Sequence, residues 1–277
     1  NSFSSTYNDD WEKERAYHKV LFHGGRALQA RELNEMQSII QAEIARLGSN
    51  LFKNGSMVNP GGTAINSAYE YVRLNPEGGQ PTISHVGKTL TGATSGVQAQ
   101  VLQYVAPLPN GVDPATFYVK YIDDGTQTAT NSGIRFTQGE VLTSSGGAGS
   151  ITVETAGTDP LNPPVGKGCS IQTTEGDFFV SGHLVNVPGQ HLILSKYTPL
   201  FTGEVGFQLI QDIVTVSDTT SLYDNQGGTP NLSSPGADRY RIRLILIDKS
   251  FTNPDDSYIQ LCSVKQSVIT KFASNDD

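Results

Sequence analysis

Few side chains in this sequence have the type and spacing that chemistry needs. The five histidines are His18, His23, His85, His183 and His191. None has a second histidine four positions away, the spacing that sets two imidazoles on one helix face for a zinc ion. His183 and His191 fall on successive expected strands joined at Pro188–Gly189 and would face each other across that hairpin, but no third ligand is near. They read as half-exposed strand histidines, and no metal is expected. Asp123, Asp124 and Glu140 are the carboxylates best placed for glycan hydrolysis, which needs two such groups flanking the scissile bond. Asp124-Gly125 after an alternating run is also a strong turn signal, and the turn is the reading adopted. Asp218, Asp224 and Asp238 do not match a calcium loop. Arg239, Arg241 and Arg243 share one face of an expected strand. Like charges there repel, so an ion-pair row within or between chains is expected, with Asp238 and Asp248 bracketing it. Cys169 and Cys262 are read as free thiols. Nucleophile-elbow, phosphate-loop and dinucleotide glycine motifs are all missing. The expectation is a protein with no catalytic residues and no cofactor, and not an enzyme.

The elements that would position any site follow from composition. Of 277 residues, 29 are glycine and 14 proline, and only 17% are charged, against about 25% in ordinary globular chains. That mix suits short strands joined by turns rather than helical bundles. The net charge of −8 argues against nucleic acid, whose binders carry a basic face. No apolar run is long enough for a membrane span. Residues 1–20 hold Asp9, Asp10, Glu12, Lys13, Glu14 and Arg15 and lack the apolar core of a secretory leader. Residues 1–60 contain seven basic and seven acidic side chains, so the whole negative excess lies beyond them.

One stretch, residues 27–52, has a helical period. Leu33, Met36, Ile40, Ile44, Leu47 and Leu51 follow at steps of three and four and line one face. That stripe must be covered, either by the chain's own sheet or by copies of the same helix about a symmetry axis. Residues 17–22 read as a short strand or an extended lead-in before the turn at His23-Gly24-Gly25. Beyond residue 60, strand signals dominate. The division expected is a helical docking region at 1–60, a β-rich body at 61–85 and 156–250, an inserted small β barrel or sandwich at 86–155, and a last strand with a tail at 251–277. The insert contains a weak echo, Gly87-Lys88-Thr89-Leu90-Thr91 against Gly139-Glu140-Val141-Leu142-Thr143. Residues 158–166 read as a proline linker, 177–187 as one strand bent at Gly182, and 204–210 and 212–216 as two strands. Residues 218–237 have no period, and 239–248 form the clearest strand. The fold class expected is mainly β, a sandwich-like body with a small inserted unit, plus one long N-terminal helix.

Two motifs carry a resemblance. Tyr7-Asn8-Asp9-Asp10 followed by VLFHGGRALQARELNEMQ at 20–37 and FKNGS at 52–56 resembles the opening of a family of tailed-bacteriophage virion proteins. SLYDNQGGTPN at 221–231 and PGADRYRI at 235–242 resemble a second signature of the same family. The resemblance implies a structural part of a phage tail, fibre or baseplate, assembled in the bacterial host cytoplasm and carried in the virion. Its partners would be other tail proteins and further copies of itself, as a homotrimer or another homo-oligomer. A host-surface glycan is a further candidate partner, and a receptor-binding module or a glycan-degrading tailspike are the rival readings. Assembly contacts are assigned to Leu33, Met36, Ile40, Ile44, Leu47, Arg26 and Arg31, with the two arginines bridging to Glu32, Glu35 or a neighbour. Asp224, Asn225, Gly236, Asp238 and Arg239 are assigned supporting roles. Gly236 would permit a tight turn, and Asp238 would pin the 218–237 segment to the sheet.

Overall fold

The structure, a computed structural model, describes residues 4–59, 61–75, 82–109, 113–125, 134–155, 163–223, 234–253 and 257–272. It is mainly β with one long N-terminal helix. A short α1 (Ser4–Tyr7) precedes α2 (Ala30–Leu51). The strands are β1 (Ser56–Asn59), β2 (Thr63–Arg73), β3 (Thr89–Gly92), β4 (Gln98–Val105), β5 (Thr116–Asp123), β6 (Val141–Ser144), β7 (Ser150–Thr152), β8 (Val165–Thr173), β9 (Gly176–Val180), β10 (His183–Val187), β11 (Gln190–Ser195), β12 (Gly203–Val214), β13 (Arg239–Asp248), β14 (Tyr258–Lys265) and β15 (Val268–Phe272). They form three antiparallel sheets, ordered β1-β9-β10, β11-β8-β2-β5-β4-β3-β6-β7 and β13-β12-β14-β15.

The eight-stranded sheet rolls up at one end. Leu74, just past β2, bridges Val153, just past β7. The Asn75 amide donates to Thr152 O and the Glu154 amide to Arg73 O, both at 2.9 Å. This closes β2, β5, β4, β3, β6 and β7 into a small barrel filled by Val72, Leu90, Phe117, Phe136, Leu142 and Ile151. Closure removes the exposed edges that an open sheet would carry. The echoed segments are partners in it. β3 and β6 pair antiparallel about Thr91↔Thr143, Leu90 and Leu142 are both fully buried, and Gly87 and Gly139 enter their strands at φ +82° and +70°.

The body is a second packing unit. The three- and four-stranded sheets enclose Phe178, Val180, Val185, Phe207, Leu244 and Leu246, with Ile171 of β8 completing the core. The two cores meet along β2, which pairs with β8 and then with β5. A tyrosine cluster seals that junction. Tyr69 and Tyr118 stack at 4.6 Å, and Tyr118 donates to Lys196 O at 3.1 Å. Lys196 and Tyr197 both donate to Asp113. Buried Arg73 pairs with Glu154 at 3.1 Å and lies 5.0 Å from the Tyr197 ring centroid.

Several local expectations change. Of the two readings of residues 17–22 the strand is not formed: they are an irregular lead-in to the turn, exposed apart from partly buried Val20. Ser181-Gly182 is a hairpin turn, with φ +51° and +81°, so 177–187 is two paired strands rather than one bent strand. Pro188–Gly189 carries the chain from one sheet to another, because β10 and β11 belong to different sheets. Residues 204–210 and 212–216 join in a single strand, β12, and Val165–Gly166, assigned to the linker, begin β8. The final hairpin, β14 to β15, turns through Gln266 and Ser267 at φ +49° and +61°. Gln-Ser is not a residue pair that announces such a turn.

Candidate assembly site

The helix starts where its sequence provides a cap: the Gln29 amide donates to Glu32 Oε2 at 3.0 Å, satisfying one of the otherwise orphaned first-turn donors. It ends where the Phe52 backbone turns extended. Between them, the face turned toward the rest of the chain is polar and small. Asn34 Nδ2 donates to Tyr7 O at 2.7 Å, Ser38 Oγ to Asp9 Oδ2 at 2.5 Å, and Gln41 Nε2 to Gly182 O at 2.7 Å. Ala45 sits against Gly182, where an added Cβ would come within 2.7 Å of it. Gly48 lies against the Phe179 ring, which an added Cβ would meet at 2.3 Å. Phe52 follows, its ring centroid 6.0 Å from that of Phe179. Positions 34, 38, 41, 45, 48 and 52 step by four and three, so they form one helical face.

The apolar stripe is rotated away from it by about one residue, or roughly 100°. Leu33, Ile40, Ile44, Leu47 and Leu51 are exposed, from 38% at Leu33 to 66% at Leu51. Met36 is half-buried, and Ile39 is the one residue of α2 in the buried class. Packing on the chain's own sheet, one of the two readings of the stripe, is therefore not what happens: that sheet takes the small-residue face. The segment leading into the helix is exposed too, with Tyr17 at 52%, Leu21 at 78%, Phe22 at 56% and Leu28 at 57%.

Within one copy, the described ion pair of Arg31 is to Asp10 rather than to Glu32 or Glu35. Arg31 lies 3.9 Å from Asp10, whose other neighbour is Arg15 at 3.7 Å. Arg26 is exposed, and its amide closes the turn by donating to His23 O at 3.2 Å. The two sequence motifs meet in space. Tyr7 Oη donates to Asp238 Oδ2 at 2.8 Å, a bond that raises the Tyr7 pKa. Asp238 thus receives the N-terminal segment across 231 positions. The Gly236 amide donates to Leu222 O at 2.7 Å. A Cβ there would stand 2.4 Å from that oxygen, so glycine is required by a close approach. Asp224 and Asn225 lie outside the described residues.

Two of the three arginines, Arg241 and Arg243, pair within the chain with one acid that the sequence reading did not single out. Asp212, opposite Arg241 on β12, accepts from Arg241 Nε and Nη2 at 2.9 and 2.6 Å and from Arg243 Nη2 at 3.1 Å. The Arg241 hydrogen bonds are the main reason its carboxyl falls to about 2. Arg239 instead donates to Ala237 O at 2.6 Å.

The other chemical candidates are engaged structurally. Glu140 is buried, and its carboxylate accepts from the Thr94 and Ser95 amides at 2.9 and 2.6 Å and from the Thr137 amide at 2.8 Å. Burial pushes its pKa up, but the Ser95, Thr137 and Thr94 hydrogen bonds outweigh it and the net shift is down. Asp123 accepts from the Gly125 amide at 2.8 Å, as a turn requires. His183 and His191 do not face each other. His183 lies 5.9 Å from the Tyr240 ring and His191 5.1 Å from Tyr69, and burial lowers both pKa values. The two cysteines are free and buried. Among the described residues no group of three metal-binding side chains converges. No helix among them is long and apolar enough to cross a membrane.

Residues 5–80, covering the N-terminal segment, α2, β1 and β2, match the model of a domain of unknown function, DUF4815. Comparison with curated proteins finds no match. Comparison with solved structures finds none either.

Proposed function

We propose that the chain is a structural part of a bacteriophage tail, in a fibre or baseplate, and that it works by contact with further copies of itself and with other tail proteins. The observation that carries this reading is the orientation of α2. The helix uses hydrogen bonds and small residues to seat itself on the body and leaves its apolar stripe outside. A long apolar stripe in water is unfavourable, at about 25 cal/mol for each Å² left exposed, and contiguous patches of this kind mark interaction sites. From Ile40 onward the stripe steps 4, 3, 4 to Leu51, the spacing of a coiled-coil seam. The phage context comes from the resemblance of the two motifs, supported by their meeting at Tyr7 and Asp238. Catalysis has no place in this reading, since Glu140, the best-buried candidate acid, is held as an ionised acceptor.

Light scattering on the purified chain, beside the double variant Ile44→Asp, Leu47→Asp, tests the self-association. The expected outcome is an oligomer, a trimer by the resemblance, for the parent and a folded monomer for the variant, since both positions are exposed on one copy. A parent that stays monomeric at tens of micromolar would sink it. Antibody labelling of phage particles in electron micrographs tests the location, with label confined to the tail expected.

A further inference from the structure

Between the anchor at Asp9–Ser38 and the helix cap at Gln29 runs an arm of the chain, residues 11–28, with unusual chemistry. Tyr17, Leu21, Phe22 and Leu28 are each more than half exposed. The arm passes its own helix, where His18 Nδ1 comes 3.6 Å from Glu43 Oε1, yet five of the six stripe residues, all but Met36, stay exposed. Both apolar surfaces of one copy are therefore uncovered at once.

We infer that the arm of one copy lies on the α2 stripe of a second copy, so that self-association exchanges arms rather than only pairing helices. This rests on the self-association proposed above and names what fills the interface. Three observations favour it. The first is area. The five exposed stripe side chains offer roughly half of the about 800 Å² that each partner gives to a stable interface, and the four arm side chains offer a similar amount. The second is charge. Lys13, Arg15, Lys19 and Arg26 outnumber Glu12 and Glu14 on the arm, while Glu32, Glu35 and Glu43 outnumber Arg31 and Arg46 on α2. The third is reach. The arm is pinned at both ends, and half its length extends about 25–30 Å, well beyond the about 10 Å separation of packed helices.

The arm variant Leu21→Ser, Phe22→Ser, Leu28→Ser is compared with the parent by sedimentation. A further pair carries Phe22→Cys in one tagged copy and Leu47→Cys in another; the native thiols are buried and do not compete. Expected are at least about tenfold weaker association of the arm variant and a disulfide between the two tagged copies on oxidation. An arm variant that associates like the parent, or no disulfide between copies, overturns the exchange while the stripe-to-stripe oligomer stands. A chain carrying both cysteines that closes only on itself also overturns it. A monomeric parent removes this inference and the proposal beneath it together.

Discussion

Glu140 shows how a residue that reads as chemistry becomes structure. In the sequence it is an acid near Asp123 and Asp124. In the barrel its two oxygens collect the amides of Thr94, Ser95 and Thr137, tying the loop after β3 to the entrance of β6. Glu140→Gln turns an NH2 toward one of these amides, so at least one buried donor is left unmet, at about 1–3 kcal/mol. The acid limb of the stability curve should change as well. The Glu140 pKa in the folded state lies below its ordinary 4.5. The stabilisation is therefore complete above the unfolded value and is lost as pH falls through the folded one. Urea titrations at neutral pH should show the variant weaker, with the gap closing on acidification below about pH 4. A gap that is independent of pH would mean that the charge on Glu140 contributes nothing. Asp212 went unnoticed for the opposite reason. A lone acid on a strand carries no motif, and only the pairing of β12 with β13 brings it beneath Arg241 and Arg243.

At the scale of elements, the position of α2 was legible to within a few residues, because a 3-4 period is a local fact. Which face it buries was not legible. Periodicity says that an apolar stripe will be covered, but not by what; the neighbouring face is taken instead, at 34 and 38 by the N-terminal segment and at 41, 45, 48 and 52 by the β9–β10 hairpin. Gly48 is the sharpest test of that orientation. In an isolated helix, Gly48→Ala stabilises by about 1 kcal/mol. Here the new Cβ meets the Phe179 ring at 2.3 Å, and Phe179 is 3% exposed, with little room to retreat. Overpacking of this kind costs about 1–3 kcal/mol, so the substitution should be net destabilising in denaturant titration. Stabilisation would show that α2 is not seated on β9 through Gly48. The strand errors have the same root. Gln266-Ser267 and Ser181-Gly182 turn as tight hairpins, and Pro188-Gly189 changes sheet, because distant pairing partners decide these outcomes.

At the scale of the molecule, the barrel and the body each have a core, and β2 is the strand both use. Composition foretold β architecture but not this sharing, since nothing in residues 63–73 tells that the strand pairs along its length with β8 while its end, Tyr71–Arg73, also pairs with β5 on the other edge. The consequence is a pair of cooperative units with one spine. Leu142 is fully buried among barrel residues, and Leu142→Ala should cost about 2–5 kcal/mol. If the cores open separately, native-state hydrogen exchange in the variant should lose protection across β3 to β7 and leave β12 to β14 as slow as in the parent. Arg73 and the Tyr69–Tyr118 stack lie on the seam between the units, so amides of β2 should respond by an intermediate amount. Uniform loss of protection through β12 and β13 would mean that the tyrosine seam couples the cores into one folding unit. The arm and α2 belong to the body side, through Gln41 to Gly182 and Tyr7 to Asp238. A barrel weakened at Leu142 should therefore still present the α2 stripe, and association measured by light scattering should survive the substitution.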